Sequence, residues 1–157
     1  MSGWGHVPNA LVHGWSVAGI ITVSTGLPTG LTVNGDPANH GEINRPDVVG
    51  KPLLDGDQRS VDRWFNTDAF VRNAPYSFGS AGRNILLRPG LTNVDFATYR
   101  RFRITENKNL QFRFEAFNLS NTPPLGPPVT ALGDRNLGRI TSAGRPRNIQ
   151  MGLKFVF

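Results

Sequence analysis

The segment Asn148-Ile-Gln-Met-Gly-Leu-Lys-Phe-Val-Phe157 carries the strongest structural signal in this sequence. Because successive side chains of a strand point to opposite faces, its residues divide into two walls. The apolar wall consists of Ile149, Met151, Leu153, Phe155 and Phe157. The other, mostly polar wall consists of Asn148, Gln150, Gly152, Lys154 and Val156. Ten residues at ~3.3 Å each span ~33 Å, which a tilt of ~40° projects to ~25 Å, the height of the apolar band of a transmembrane barrel.

Two kinds of protein carry such a strand at this place. A soluble sheet can hold it as an edge strand, with the apolar wall packed on a core. A transmembrane barrel requires it, because the last strand of a barrel closes against the first. One strand does not separate these interpretations, so the rest of the sequence has to distinguish them.

Composition narrows the fold class and the available chemistry. The 18 glycines and 12 prolines among 157 residues are too many for a helical protein and favour short strands joined by loops. Cysteine is absent, which excludes disulfides, thiolate metal ligands and cysteine nucleophiles. No apolar run approaches 18 residues, so a transmembrane helix is excluded while transmembrane strands are not. Residues 1–12 read as a connection without a secretory signal, and we expect Met1 to begin a fragment.

The positive charge of the chain does not form a nucleic-acid footprint. The formal net charge is +6, and most of it comes from arginines that are spread from Arg45 to Arg147. Nucleic-acid binding domains usually cluster their basic residues on one face or along one helix. We therefore expect no nucleic-acid partner.

Three further segments alternate in the manner of strands, at about residues 13–25, 93–104 and 109–118. The first is rich in β-branched residues and stops before Gly26-Leu-Pro28. In the second the alternation is imperfect, because Thr98 and Arg100 share the apolar face. This predicts either a bulge near Arg100 or an Arg100 side chain that extends to a membrane interface.

Long and short connections alternate between these strands. Turn-forming residues fill two long loops, at about residues 26–92 and 119–147, whereas only residues 105–108 join the second and third strands. Such long loops are uncommon in a compact soluble domain and ordinary on the extracellular side of outer-membrane barrels. The predicted fold is therefore all-β, with four antiparallel strands of an incomplete transmembrane β-barrel and long extracellular loops.

In a barrel wall, alternate side chains face the lipid and the water-filled lumen. The predicted lumen-facing residues are Asp95, Tyr99, Arg101, Gln111, Arg113, Glu115, Gln150 and Lys154. The predicted lipid-facing residues are Leu110, Phe112, Phe114, Ile149, Met151, Leu153 and Phe155.

A series of short segments from Trp15 onward matches the motifs of one family, in order. They are Trp15–Ile20 (WSVAGI), Asn44–Val49 (NRPDVV), Asp62–Asn66 (DRWFN), Ala69–Phe70, Phe78–Asn84 (FGSAGRN), Leu110–Asn118 (LQFRFEAFN) and Gly138–Phe157. Together they resemble the Oar-like TonB-dependent outer-membrane receptors, which have an N-terminal carboxypeptidase-regulatory-like domain. The resemblance implies that residues 1–157 are the C-terminal segment of a barrel of roughly 22 strands, with the plug and the N-terminal domain absent from this chain.

The resemblance also implies a function and a location. The protein would be part of a receptor in the bacterial outer membrane that imports a bulky ligand, of the siderophore, glycan or peptide class. Its expected partners are outer-membrane lipid, the imported ligand, the TonB complex through the missing N-terminal part, and the barrel-insertion machinery. In this family the terminal aromatic strand is the insertion signal, which falls on Phe155 and Phe157 here.

The search for catalytic or metal-binding residues is largely negative. His6, His13 and His40 lack metal-ligand spacing, and the oxygen-bearing residues from Asn34 to Asp47 lack the order of a calcium loop. No serine has a recognisable catalytic setting, so we expect neither an enzyme nor a cofactor. Arg83, Arg88 and Arg145 either contact ligand at the extracellular mouth or brace the loops. The alternative function is a secreted basic β-sheet domain that binds glycan or nucleic acid.

Overall fold

The computed structural model describes residues 13–157, in which four long strands form one sheet. These strands are β1 (Trp15–Ser24), β2 (Leu91–Arg103), β3 (Asn109–Phe117) and β4 (Asn148–Val156). Their order in the sheet is their order in the chain, so the sheet is an up-and-down meander with β1 and β4 at its edges. The predicted all-β, antiparallel fold is confirmed. The connection predicted for residues 1–12 lies outside the described residues.

The strand register runs without interruption through the β2–β3 hairpin. Eight consecutive residues of β2, from Phe96 to Arg103, pair with the residues from Asn109 to Ala116 of β3. The turn is closed by Ile104, whose backbone N–H donates to the Lys108 carbonyl at 2.9 Å. A bulge near Arg100 is therefore wrong, because a bulge would place two residues of one strand opposite one of the other.

The end of β3 is set by the polar side chain of a neighbouring strand. The Asn118 N–H donates to Asp95 Oδ1 at 2.9 Å, and Asn118 itself has a left-handed backbone with φ 52. Asparagine tolerates this conformation better than most residues, so the chain turns out of the sheet here. The next N–H, of Leu119, donates to the Val94 carbonyl at 2.7 Å.

The two predicted loops fold together into a separate compact unit, residues 23–91 and 124–144, which we call the loop unit. It contains short strand pairs and 3-10 turns that alternation does not reveal. The strand pairs are Pro28–Thr29 with Leu86–Leu87, Thr32–Val33 with Ala131–Leu132, and Asp47–Val48 with Phe70–Val71. The 3-10 turns are Gly56–Gln58 and Thr67–Ala69.

The loop unit has a hydrophobic core of its own. Its buried members are Leu31, Phe65, Ala69, Phe70 and Leu86. The rings of Phe65 and Phe70 meet edge to face, with centroids 5.9 Å apart. Burial of each Leu or Phe side chain stabilises the folded loop unit by about 1.5–3 kcal/mol, which offsets part of the entropy lost by ordering the loop backbone. The long connections are thus ordered by packing. Among the described residues no helix is long and apolar enough to span a membrane.

Candidate functional site

The sheet has one apolar and one polar face, and the register assigns the paired residues of three strands to one of them. Directly paired residues point to the same side, as Met151 does with Phe114 and Leu153 with Phe112. The apolar face carries Phe96, Thr98, Arg100, Phe102, Leu110, Phe112, Phe114, Ala116, Ile149, Met151, Leu153 and Phe155. The polar face carries Tyr99, Arg101, Gln111, Arg113, Glu115, Gln150 and Lys154. Asp95 precedes the paired residues of β2 and falls on the same face by alternation along the strand. The residues predicted to face lipid share the apolar face, and the residues predicted to face a lumen share the polar face. Which of the two faces meets lipid stays a prediction.

Both faces of the sheet are exposed at its edges. All nine residues of β4 are exposed, including Met151 at 71% and Leu153 at 72%. On the opposite edge strand, Ile21 is 73% exposed. A soluble antiparallel sheet normally packs its apolar face on a core and leaves only the polar face in water. On this sheet the apolar side chains of β4 are exposed instead.

The polar face holds a hydrogen-bonded charge cluster. Glu115 accepts a hydrogen bond from Gln150 Nε2 at 2.9 Å, and its other carboxylate oxygen pairs with Arg113 Nη2. Gln150 and Glu115 are direct register partners, so the cluster joins β3 to β4. Asp95 lies on the same face, but its carboxylate binds the Asn118 backbone at the end of β3. The face therefore presents fixed polar groups rather than a uniform charged surface.

Arg100 is the exception on the apolar face. Its side chain is buried, and the guanidinium lies 4.5 Å from the Phe102 ring centroid and 5.6 Å from that of Trp15. The Nε and Nη1 groups have no hydrogen-bond partner within the described part of the chain. Cation–π attraction to two rings compensates part of the cost of removing this charge from water.

The last two aromatic residues lie next to each other. The rings of Phe155 and Phe157 stack with centroids 5.8 Å apart and planes at 29°. The predicted strand reached Phe157, whereas β4 ends at Val156. Phe157 is 90% exposed, and its role as an insertion signal stays a prediction.

A groove of about 500 Å³ opens in the loop unit. We call it the loop groove, and its chemically distinctive lining residues are His40, Glu42, Asn44, Arg45, Phe78 and Arg83. The His40 and Phe78 rings stack with centroids 4.9 Å apart and planes at 29°. Beside them, Asn44 donates from Nδ2 to Asp36 Oδ1 at 2.7 Å and to the Glu42 carbonyl at 3.1 Å.

The loop arginines divide into two groups. Several brace the loop unit, as Arg72 does by donating to the Asn34 carbonyl at 2.9 Å, and Arg139 by pairing with Asp62. Arg83 lines the loop groove, whereas Arg88 and Arg145 do not. Arg45, which the sequence did not single out as a ligand contact, also lines it. The residues on either side of it, Asn44 and Pro46, are buried. The sequence alone does not show that Arg45 is exposed between two buried residues.

Two carboxylates of the loop unit accept hydrogen bonds from backbone N–H groups. Asp36 Oδ2 accepts from the Gly41 N–H at 2.8 Å, and Asp47 Oδ1 accepts from the Ser80 N–H at 2.8 Å. The Gly41 N–H and then the Asn44 amide hold the pKa of Asp36 below its ordinary value. Among residues 13–157, no three His, Asp or Glu side chains come together as a metal site.

Comparison with known proteins gives one family match. A family described as an outer membrane beta barrel domain matches residues 1–150. No curated protein and no solved structure matches the chain.

Proposed function

This chain belongs to the outer membrane beta barrel domain family, and we propose that its sheet is part of the wall of a TonB-dependent receptor that imports a bulky ligand. The protein is accordingly a β-barrel protein of the bacterial outer membrane. The receptor type, the transport role and the coupling to TonB are our proposal. They draw on the motif resemblance from Trp15 to Phe157.

The observation that carries the proposal is the exposure of two chemically opposite faces on one sheet. A barrel wall needs apolar side chains toward lipid and polar side chains toward a wet interior. Leu153 and Lys154 are adjacent in β4, and both are exposed on opposite sides of the sheet. We assign the apolar face to lipid and the polar face to the lumen.

Four strands do not close a transmembrane barrel, since the smallest known have about eight. The backbone groups along the outer edges of β1 and β4 need partners, because lipid cannot hydrogen-bond them. We propose that further strands of a longer chain pair with these edges. The plug and the TonB-contacting residues would belong to that longer chain, and we assign neither to a residue of this sequence.

The loop unit supports a receptor role rather than a purely structural one. A core built from Leu31, Phe65 and Leu86 orders connections that a structural barrel could leave short. Binding residues are often carried on loops that a rigid scaffold positions. We propose that the two long connections are extracellular, because periplasmic turns are short and β2 and β3 are joined by only the short turn of residues 104–108.

Site-directed spin labelling tests the wall assignment directly. This chain has no cysteine of its own, so single labels at Leu153→Cys and Gln111→Cys are introduced in the complete receptor after any cysteine outside this chain has been replaced. In outer-membrane vesicles, the label at position 153 should collide with oxygen and the label at 111 with a water-soluble nickel chelate. Equal access of both labels to the nickel chelate would contradict a barrel wall.

Transport is tested separately in cells. Cells that express the complete receptor should deplete a ligand from a complex medium, and an uncoupler of the proton gradient should stop this depletion. The secreted basic β-domain gains no support from the structure, because such a domain would cover Met151 and Leu153 with protein. We propose no catalytic activity for this chain.

A further inference from the structure

We infer that the loop groove binds an anionic ligand that carries a ring, with the anion held by Arg45 and Arg83 and the ring packed on Phe78. This deepens the proposed function and rests on it in one respect, since we take this ligand to be the imported one. The binding itself depends only on the loop unit.

The charge of the groove points to an anion. Within the described part of the chain, neither the Arg45 nor the Arg83 side chain has a hydrogen-bond or ion-pair partner. Other loop arginines do have one, such as Arg63, which pairs with Asp68 at 3.1 Å. A guanidinium presents a planar fork of donors that matches a carboxylate or a phosphate. Two guanidinium groups without partners in one groove therefore favour the binding of an anion. The negative charge of the Glu42 carboxylate weakens this attraction in part.

The aromatic pair points to a ring. Phe78 remains 77% exposed even though His40 stacks on it. His40 is itself held in place, because its Nδ1 accepts a hydrogen bond from the Glu42 N–H at 3.1 Å. A fixed and exposed phenyl ring offers an aromatic or sugar ring a flat apolar surface to cover.

Close backbone packing fixes the walls that carry the two arginines. A Cβ at Gly79 would overlap the carbonyl oxygens of Arg45 and Pro46, and a Cβ at Gly30 would overlap the carbonyl oxygen of Arg83. Only glycine permits this approach, so the backbones of Arg45 and Arg83 are clamped against neighbouring segments. Preorganised walls reduce the entropy lost on binding.

The volume of the groove suits a ligand larger than a simple anion. Ligand sites commonly measure about 300–1,000 Å³, and about 500 Å³ is available here. That space accommodates an anion together with a ring, which is the combination that the lining residues recognise.

A matched pair of fluorescent probes tests the inference. We would titrate the purified full chain in detergent with 4-methylumbelliferyl glucuronide and with 4-methylumbelliferyl glucoside, which differ in one carboxylate. The glucuronide should bind at least roughly tenfold more tightly, because only it engages both guanidinium groups. Benzoate and free glucuronate are the two further arms. Tighter binding of benzoate identifies an aromatic acid as the ligand class, and tighter binding of glucuronate identifies an acidic sugar.

Substitutions then locate the site. Arg45→Gln and Arg83→Gln should each weaken glucuronide binding by roughly tenfold or more, and Glu42→Gln should not weaken it. The matched control is Arg88→Gln, which removes an exposed arginine of the same unit outside the groove and should leave binding unchanged. Arg45→Lys and Arg83→Lys keep the positive charge and should retain part of the binding. An unchanged thermal midpoint in each variant would show that weaker binding comes from a lost contact and not from unfolding.

Three results would overturn the inference: equal binding of the two probes, no binding of either, or equal loss in the Arg88 and Arg83 variants. None of them bears on transport. If the probes bind as expected while cells show no energy-dependent uptake, the proposed function fails and the binding site stands. If uptake occurs but Arg45→Gln and Arg83→Gln leave both uptake and probe binding intact, only the inference fails.

Discussion

Gln150 on β4 donates a hydrogen bond of 2.9 Å to Glu115, its direct register partner on β3. The next pair along the same strands, Met151 with Phe114, lies on the opposite face. The sheet therefore changes from a charged hydrogen-bonded surface to an apolar one within a single residue step. The two faces should therefore tolerate the same substitution very differently.

Leu153→Arg should destabilise the assembled protein by about 2–4 kcal/mol, because the new charge would lie in the hydrocarbon of the membrane. Gln111→Arg, on the polar face, should be nearly neutral. Both are measured as free energies of unfolding from lipid vesicles in the complete receptor. Equal costs at the two positions would mean that both faces are packed against protein.

Trp15 and Arg100 should be energetically coupled. Trp15→Ala uncovers one side of a buried guanidinium and should destabilise the protein more in the presence of Arg100 than in an Arg100→Leu background. We expect a coupling free energy of about 0.5–2 kcal/mol, the range of a desolvated cation–π contact. A double-mutant cycle on the unfolding free energy measures it, and additive single effects would show that the ring–guanidinium contact contributes nothing.

Gly79→Ala should disturb the loop groove, because its Cβ would overlap the Arg45 and Pro46 carbonyl oxygens. We expect a loss of about 1–3 kcal/mol, typical of overpacking, together with weaker glucuronide binding. Gly82→Ala is the control, since the nearest heavy atom to its Cβ, on Ile85, is 4.0 Å away. Equal thermal midpoints and equal glucuronide affinities of the two alanine variants would show that close backbone packing at Gly79 does not hold the walls of the groove.

The turn from Asp36 to Asn44 should loosen in acid. The Gly41 N–H, and after it the Asn44 amide, lower the pKa of Asp36 in the folded protein. A carboxylate with a lowered folded pKa stabilises the fold above its ordinary pKa and loses that contribution as the pH falls through the folded value. Hydrogen exchange at Gly41, corrected for its intrinsic pH dependence, should accelerate at acidic pH. Asp36→Asn should flatten this dependence, and an unchanged acid response in that variant would contradict the assignment.

Phe157→Asp in the complete receptor should lower the amount of barrel assembled in the outer membrane. Phe157 continues the apolar row of β4 and stacks on Phe155, so its loss removes an exposed aromatic from the end of the strand. Ligand uptake per assembled molecule should change much less. Heat-modifiable barrel in purified outer membranes measures assembly, and Val156→Asp on the polar side is the matched control. Wild-type assembly of the Phe157 variant would leave the terminal aromatic as ordinary packing.

The sequence by itself determined the four strands, their order of long and short connections, and the division of side chains between the two faces. Phe112 and Leu153 alternate with Gln111 and Lys154 at a period of two, which is a local property of an extended backbone. No knowledge of the partner strand is needed to read it. The same locality explains why the ends of the strands differ from the prediction by only a residue or two.

The tertiary structure alone decided the features that depend on partners distant in sequence. The unbroken pairing of β2 with β3 excluded the bulge that the sequence allowed near Arg100. In the loops, Thr32 and Val33 pair with Ala131 and Leu132, and Leu31 packs with Phe65 and Leu86. Turn propensities do not predict such contacts, because propensities describe the local backbone, whereas these contacts join residues far apart in the sequence. For that reason the sequence did not predict that Arg45 lines the loop groove. It also did not predict that Arg88 and Arg145 lie outside the groove.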